Sequence, residues 1–232
     1  MDLKRFSVIS TSLVYNRLNN TIKKKYKKNT QIPLSTKKLK KLIDKYILLL
    51  KRSKIPTPDI VQSYIEEEFI VYETKNCGKN IIELGFNISR FDSFKHHIIM
   101  MVQILKKAMK NNIYFDPHPK NFVFNKKGEI YYVDFYPPYT NSLKEMRLSV
   151  ANKNHVEIIK NNYSFFTKDF LPEHFCGDFL NIDKNSEAIF NKIYLLQKES
   201  DILLSSKQNF IKKAKYIRSV EDLRLKKKIF LL

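Results

Sequence analysis

The sequence predicts an α+β fold, with a small β-rich part over residues 1–75 and a helical part over residues 76–232. Short runs of β-branched and aromatic residues, bounded by turn residues, are concentrated in the first part. In the second part, apolar residues recur at the three- and four-residue spacing of amphipathic helices. With 232 residues, a hydrophobic content of 43% and 17 Phe, the chain can bury a sizeable core.

Five candidate strands are expected in the first part of the chain. They are Phe6–Ile9, Ser12–Leu18, Thr21–Lys28, Ile60–Ile65 and Phe69–Tyr72. The dipeptide Asn19-Asn20 favours a tight turn between the second and third of them, because asparagine tolerates left-handed backbone conformations.

Two long helices are expected. The first begins after Ser35-Thr36, which can cap it, and runs to about Arg52 before the proline at position 56. Its apolar stripe would consist of Leu39, Leu42, Ile43, Tyr46 and Leu49 or Leu50. The second helix covers Ser89 to Asn111, with Ser89 or Asp92 as its cap. The region after residue 142 is predicted to be mostly helical and to end in a basic helix from about Lys207 to Leu232.

Three polar residues stand out around a predicted hairpin. Asn121 follows Asp116 by five positions, and Asp134 follows Asn121 by thirteen. Between them, two β-rich runs flank the turn Asn125-Lys-Lys-Gly128, so the hairpin would bring Asn121 and Asp134 together at one end. Phosphoryl transfer from ATP requires a carboxylate near the acceptor hydroxyl, and an amide oxygen and second carboxylate for Mg²⁺. These residues therefore indicate phosphotransferase chemistry.

The phrase Asp116-Pro-His-Pro-Lys-Asn121, followed by Asp134-Phe135, resembles the catalytic and metal-binding motifs of the protein-kinase-like superfamily. The internal His-Pro is closer to the atypical and small-molecule branches. These branches include the lipopolysaccharide core heptose kinases, the aminoglycoside and choline phosphotransferases and the UbiB-like proteins. A K-x-G-Q motif typical of the UbiB-like branch is not found, which favours the other two. The resemblance implies a compact two-lobed kinase-like fold.

The resemblance also implies a role for each motif residue, with ATP and Mg²⁺ as cofactors. Asp116 would act as the base or position the acceptor hydroxyl, and Asn121 and Asp134 would bind Mg²⁺. His118 would brace the loop by hydrogen bonding rather than take part in the chemistry. The backbone from Glu73 to Lys75 would form the hinge between the lobes and hold the adenine edge.

A strand lysine that pairs with the ATP phosphates is expected in the third strand of such a fold. Lys24 is the candidate because it shares a strand face with Ile22, two residues earlier, as in the V-A-I-K motif. Lys23 and Lys25 remain the alternatives. Two kinase features are missing, since no glycine precedes Gly78 to form a glycine-rich loop and Asp44 is the only acid in the first helix.

Other functions stay open. A pseudokinase would keep the fold without the chemistry, and the missing glycine-rich loop favours it. A RIO-like protein kinase would fit a short chain, but its usual loop has serine where this chain has His118. A nucleic-acid-binding protein would account for the basic charge, yet no recognisable binding motif supports it. The acceptor is expected to be a small molecule or a glycan- or lipid-linked hydroxyl.

The formal net charge is +20, and residues 1–58 hold 16 Lys/Arg against two acidic residues, a net of +14. Such a field favours anionic partners, including nucleotide phosphates and, through the basic termini, an anionic membrane surface. Heavy use of Lys, Asn and Ile is also what an AT-rich genome produces. The two cysteines suit a reducing compartment, and no apolar run approaches the length of a membrane span. We therefore expect a cytoplasmic protein, with peripheral membrane association as the alternative.

Overall fold

The structure is a computed structural model. It describes residues 11–27, 34–136, 140–151, 153–179, 186–203 and 205–226. Within these ranges the chain forms a four-stranded sheet with one helix, then a helical part that contains a two-stranded hairpin. The predicted α+β class is therefore confirmed. None of the helices in the described ranges has the length and apolar character needed to cross a bilayer.

The first part of the chain forms an antiparallel sheet. Its strands are β1 (Thr11–Asn16), β2 (Thr21–Lys27), β3 (Ile60–Glu66) and β4 (Phe69–Lys75). Their order in the sheet is β1-β2-β4-β3, with β4 paired to β2 on one side and to β3 on the other. The last strand extends to Lys75, three residues beyond the predicted Tyr72, because its polar end pairs in register with Thr21, Ile22 and Lys23 of β2.

The predictions for the first strands have three outcomes. The strand expected at Ser12–Leu18 is observed at Thr11–Asn16, and a turn follows it. Asn20 in this turn has a φ of 50°, which agrees with the role expected for the asparagine pair. The candidate strand Phe6–Ile9 lies outside the described residues.

Helix α1 (Thr36–Arg52) begins as expected at Ser35, whose side chain accepts a hydrogen bond from the Lys38 amide at 3.3 Å. Its buried stripe differs from the expected one, because Ile47 is buried and Leu42 is only half-buried. The buried residues are Leu39, Ile43, Tyr46, Ile47 and Leu50. After the helix, the Pro56 carbonyl accepts from the Tyr132 amide at 2.8 Å, which ties this segment to the hairpin of the second part.

Helix α2 (Phe91–Lys110) is the long helix predicted from apolar spacing. Its start was predicted incorrectly, since a 3₁₀ turn over Ile88–Arg90 precedes it. Neither Ser89 nor Asp92 forms the cap. The Asn87 side chain instead accepts from the Arg90 amide at 3.1 Å, because this short polar side chain can satisfy an unpaired amide of the turn.

The predicted hairpin is present as β5 (Phe122–Phe124) and β6 (Ile130–Tyr132). The Asn125 side chain organises the turn by accepting from the amides of Lys127 and Glu129 at 2.9 and 3.0 Å. The chain leaving β4 joins this hairpin through a β-bridge between Lys79 and Phe124. Gly78 is required there, since its φ is +108° and a Cβ would lie 1.9 Å from the Phe124 carbonyl oxygen.

In the described residues after the hairpin, the chain forms five helices. They are α3 (Asn141–Ser149), α4 (Lys153–Phe165), α5 (Leu171–Phe179), α6 (Ser186–Glu199) and α7 (Lys207–Lys226). The cap of α3 is Thr140, whose hydroxyl accepts from the Leu143 amide at 3.2 Å. The basic helix predicted from Lys207 is α7, and residues 227–232 lie outside the described range.

Helix α5 is the centre of the helical part, and all nine of its residues are buried. It crosses α7 closely, because Gly177 has no side chain: a Cβ there would lie 3.0 Å from the Ala214 carbonyl oxygen. The main hydrophobic core is continuous from Tyr26 in the sheet to Ala214 in α7. The β-rich and helical parts therefore pack as neighbours on one core.

Candidate functional site

The loop after α2 places Asp116 in a fixed local geometry. The Asp116 carboxylate accepts a hydrogen bond from the His118 amide at 3.0 Å, which is an Asx turn. A 3₁₀ turn over Pro119–Asn121 follows, in which the Asn121 amide donates to the His118 carbonyl at 2.8 Å. The Asn121 side-chain nitrogen lies 3.5 Å from the Asp116 carbonyl oxygen. Asp116 and Asn121 are therefore held on one short loop.

His118 makes its contacts within this loop. Its Nδ1 accepts from the Lys120 amide at 3.2 Å. Burial lowers the pKa of His118 well below its usual value, and the nearby Lys120, His174 and Arg218 side chains lower it further. A neutral imidazole that accepts a backbone hydrogen bond fits the bracing role expected for this residue. Its part in any reaction stays a prediction.

The hairpin brings Asp134 next to Asn121, as the sequence spacing indicated. The Val133 amide donates to the Asn121 carbonyl at 2.9 Å, so Asp134 follows directly after a residue paired with Asn121. Phe135 and Tyr136 are buried beyond it, and the Tyr136 ring stacks on Tyr26 of β2 with 4.9 Å between centroids. Asn121 and Asp134 therefore lie at the same end of the hairpin.

Of the three candidate lysines, only Lys24 points towards Asp134. Its Nζ donates to the Val133 carbonyl oxygen at 2.8 Å. Lys23 lies on the opposite sheet face, with its Nζ 5.8 Å from the centre of the Tyr64 ring, and Lys25 forms an ion pair with Glu66. The two-residue period of β2 accounts for this difference.

Burial and neighbouring charges shift the pKa values of Asp134 and Lys24. Burial raises the pKa of Asp134 to about 7, with the Asp116 carboxylate adding to the rise and Lys24 opposing it. Burial likewise lowers the pKa of Lys24, and the Asp134 charge opposes that change. Lys24 and Asp134 are each half-buried and influence each other electrostatically, and the Asp116 carboxylate lies close enough to act on Asp134 as well.

The residues predicted to hold adenine, Glu73 and Lys75, both lie in strand β4. Glu73 lies within β4 between β2 and β3, and its carboxylate accepts from the Thr21 hydroxyl at 2.5 Å and from Gln62 at 2.6 Å. The Lys75 amide donates to the Asp59 carbonyl at 3.0 Å. The segment between the lobes thus begins at Asn76, after the predicted Glu73–Lys75. The adenine contact stays a prediction, and the sheet pairing of both residues counts against it.

Helix α1 contributes Tyr46, which the apolar spacing predicts only as a core residue. The Tyr46 hydroxyl donates to the Tyr114 carbonyl at 2.8 Å, two residues before Asp116. Burial and the charges of Asp134 and Asp116 raise the pKa of Tyr46 well above its usual value, so this phenol lies near both carboxylates. Asp44 does not pair with Lys24, because it accepts from Tyr72 at 2.6 Å and from Lys40 at 2.8 Å.

Helix α5 supplies two further residues that sequence reasoning missed. His174 and Asp178 are 3% and 5% exposed, and their ligand atoms lie within 4.8 Å of each other and of the Asp116 carboxylate. The signal for this pair was present in the sequence, since positions i and i+4 share one helix face. This spacing does not reveal the contact with Asp116, because that contact depends on the packing of α5 under the loop.

Two cavities lie elsewhere on the described part of the chain. One, of about 320 Å³, is bordered by β1, Lys23 and Glu73, and the other, of about 210 Å³, lies beside Tyr114, Asn141 and Thr167. Neither is lined by Lys24, Asn121 or Asp134. Side-chain placement, and not cavity shape, therefore indicates a site around Asp134.

Comparison with known proteins supplies no family for this chain. No protein-family model matches the sequence, and a search of curated proteins also finds no match.

Proposed function

We propose that the protein is an ATP-dependent phosphotransferase with a kinase-like fold. Its acceptor would be a hydroxyl group of a small molecule or of a glycan- or lipid-linked substrate. The observation that carries the proposal is the convergence of Lys24, Asn121 and Asp134. The lysine donates to the Val133 carbonyl at 2.8 Å, and the Val133 amide in turn donates to the Asn121 carbonyl at 2.9 Å. A cation, an amide and a carboxylate are the groups that phosphoryl transfer from ATP uses.

The order of the elements supports the same proposal. The lysine strand β2 is followed by α1, then by β3 and β4, and the connection after β4 leads to the helical part. The long helix α2 then delivers the chain to the loop that carries Asp116. A phosphotransferase of this kind places its nucleotide between a sheet that carries the lysine and a loop that carries the acid.

The donors near Asp134 fit Mg²⁺. Asn121 offers an amide oxygen and Asp134 a carboxylate, and Mg²⁺ prefers such oxygen ligands while taking the rest of its shell from phosphates and water. When bound, the ion would neutralise negative charge on the phosphates. Lys24 would add a second positive charge, and Asp116 would position the acceptor hydroxyl or take its proton. Ionised Asp134 is costly to bury alone, so a cation at this position would stabilise its charged form.

A nucleotide-binding protein without catalytic activity is the second candidate. It is favoured by the hydrogen bond of Lys24, which goes to a backbone carbonyl and not to an acidic side chain. Asp44, the acidic residue of α1, instead accepts hydrogen bonds from Tyr72 and Lys40. Catalytically active kinases orient this lysine with an acidic side chain of the helix. Asp116 on its ordered loop favours the enzyme over this alternative.

Thermal unfolding tests the proposal without knowledge of the acceptor. ATP with Mg²⁺ should raise the melting temperature clearly more than ATP with a chelator, because a ligand that binds only the folded state stabilises it. Asp134→Asn should remove the Mg²⁺-dependent part of the shift. Asp201→Asn, at an exposed turn, is the matched control and should keep it.

Each other outcome has a definite meaning. If ATP gives no shift with or without Mg²⁺, the proposal is wrong. A shift that is the same with Mg²⁺ and with chelator would favour the nucleotide-binding protein without catalytic activity. A shift that persists in Asp134→Asn would contradict the role of Asp134 as a metal ligand.

A further inference from the structure

The cluster beneath Asp116 has a composition that differs from the proposed Mg²⁺ site. It consists of Asp116 on the loop and of His174 and Asp178 on α5, and the ligand atoms of all three lie within 4.8 Å of one another. His174 and Asp178 are almost fully buried, whereas Asp116 is half-buried at the outer edge. Of the three side chains, that of Asp116 is therefore the most accessible to solvent.

The orientation of His174 is set from outside the cluster. Its Nδ1 lies 3.0 Å from the Phe165 carbonyl oxygen. A carbonyl can only accept, so the proton of a neutral ring is on Nδ1, and the lone pair on Nε2 is directed to the side of Asp178. Metal-binding histidines commonly donate their second N–H to a backbone carbonyl in this way, which fixes the tautomer and the ring.

The distance between the two α5 side chains favours shared ligation over a direct hydrogen bond. His174 Nε2 and Asp178 Oδ2 are 3.4 Å apart. A charge-assisted N–H···O hydrogen bond would bring them to about 2.7–2.9 Å. Two ligand atoms that each lie about 2.0–2.1 Å from one tetrahedral ion are about 3.3–3.4 Å apart. The observed separation therefore fits two ligands of one ion without movement of the helix.

The ligand types of the cluster indicate which ion it would hold. It offers two carboxylate groups and one imidazole nitrogen. Imidazole nitrogen favours Zn²⁺ and related transition metals over Mg²⁺, whereas the oxygens at Asn121 and Asp134 favour Mg²⁺.

We propose that Asp116, His174 and Asp178 bind a divalent transition-metal ion, with Zn²⁺ as the first choice, at a site separate from Asn121 and Asp134. Three protein ligands leave one tetrahedral position open, as in zinc sites that also take water or a substrate oxygen. The site goes beyond the proposed phosphotransferase function and does not depend on it.

Metal binding without nucleotide tests this site. Chelator-treated full-length protein is titrated with Zn²⁺ against a chromophoric zinc indicator, and with Co²⁺, whose visible absorption reports tetrahedral nitrogen and oxygen ligation. We expect one equivalent to bind to the wild-type chain. His174→Gln and Asp178→Asn should each weaken binding at least about tenfold. His96→Asn, at an exposed histidine of α2, should bind like the wild type.

A second pair of measurements separates this site from the Mg²⁺ site. Asp134→Asn should keep Zn²⁺ binding and the Co²⁺ spectrum, and His174→Gln should keep the thermal shift caused by ATP with Mg²⁺. Circular dichroism verifies the fold of each variant. If His174→Gln does not fold, Asp178→Asn replaces it in this test, because asparagine is nearly isosteric with aspartate.

The proposal is overturned by any of three results. These are no stoichiometric binding to the wild-type chain, equal weakening by His96→Asn, or loss of Zn²⁺ binding in Asp134→Asn with retention in Asp178→Asn. The absence of stoichiometric binding is tested with the wild-type chain alone, so it does not depend on whether a variant folds. A chain that binds Zn²⁺ as expected but shows no ATP shift would support this site while refuting the phosphotransferase.

Discussion

Lys24 and Val133 lie 109 positions apart in the chain, and the Nζ atom of the first donates to the carbonyl oxygen of the second at 2.8 Å. This contact joins the second strand of the sheet to the segment that leaves the hairpin. It also brings a half-buried cation near Asp134, since Asp134 directly follows Val133. The strand face on which a single lysine lies therefore determines the charge at the proposed nucleotide site.

Replacing Lys24 by methionine is expected to weaken the binding of ATP with Mg²⁺ by about tenfold or more, which corresponds to about 1.4 kcal/mol. Methionine keeps the length and apolar stem of the side chain but removes the positive charge near the phosphates. Calorimetric titration with ATP and Mg²⁺ measures the change in Kd.

Lys23→Met and Lys25→Met are the matched controls, because both residues lie on the opposite face of β2. Each should change the Kd by less than twofold to threefold, since these charges are partly exposed and are screened by solvent. Equal effects at all three positions would show that the charge of the strand as a whole, and not the position of Lys24, influences binding.

Local patterns account for the parts of the fold that sequence reasoning predicted. Ser35 before an apolar stripe predicted the start of α1, and Asn125 with Gly128 between two β-rich runs predicted the hairpin. The same period of two selected Lys24 from its neighbours. In each case the pattern lies within a few residues, and the tertiary packing is compatible with the local structure that the pattern favours.

Tertiary packing accounts for what was missed. The polar end of β4 resembles a loop in sequence, yet Glu73 and Lys75 are held in the sheet by their partners on β2 and β3. The burial of His174 and Asp178 depends on the close crossing that Gly177 allows with α7, more than 30 residues further along. No short-range pattern records such a contact, although the four-residue spacing of this pair could have marked it as a candidate.

The raised pKa of Asp134 predicts a pH-dependent stability. Asp134 loses its proton at about pH 7 in the folded chain, whereas the usual value for an aspartate is 3.8. Between these values the folded state binds more protons than the unfolded state, so the contribution of Asp134 to stability falls as the pH rises from about 4 to about 7. One pKa unit corresponds to about 1.4 kcal/mol, so the effect is on the order of a few kcal/mol.

Asp134→Asn isolates this contribution. His118 acts in the opposite direction over part of the same range, because its pKa is lowered on folding. Urea unfolding of both proteins at pH 5 and pH 8, without nucleotide or metal, should therefore be compared as a difference. We expect the variant to gain stability relative to the wild type between pH 5 and pH 8. A constant difference would mean that Asp134 does not titrate in this range.

The hydrogen bond from Tyr46 to the Tyr114 carbonyl predicts a role for α1 in holding the loop before Asp116. Tyr46→Phe removes only the hydroxyl group, and the loss of this bond should lower the free energy of unfolding by about 1 kcal/mol, or more if the carbonyl finds no new partner. Urea unfolding measures it. Tyr15→Phe is the control, because its hydroxyl bonds to Asn20 at an exposed position, and it should change stability by less than about 0.5 kcal/mol.

A substitution at Asp116 separates the effect of the loop on phosphoryl transfer from the effect of the nucleotide site on ATP binding. Asp116→Asn should reduce phosphoryl transfer by about 10²–10⁴-fold, because an amide cannot take a proton from the acceptor hydroxyl. The thermal shift with ATP and Mg²⁺ should persist, since Lys24, Asn121 and Asp134 remain. ATP turnover is measured with a panel of sugar and lipid-linked hydroxyl acceptors, and the wild-type chain serves as the reference for each.

The choice of asparagine matters for interpreting that result. The Asp116 carboxylate accepts from the His118 amide at 3.0 Å, and the side-chain oxygen of asparagine can accept the same bond. The loop should therefore keep its shape while the charge is lost, and an unchanged melting temperature without ligand would verify this. Unchanged turnover in a variant with intact folding would show that another group takes the proton. Loss of turnover together with the ATP shift would instead mean that the Asp116 charge supports the nucleotide site itself, through its proximity to Asp134.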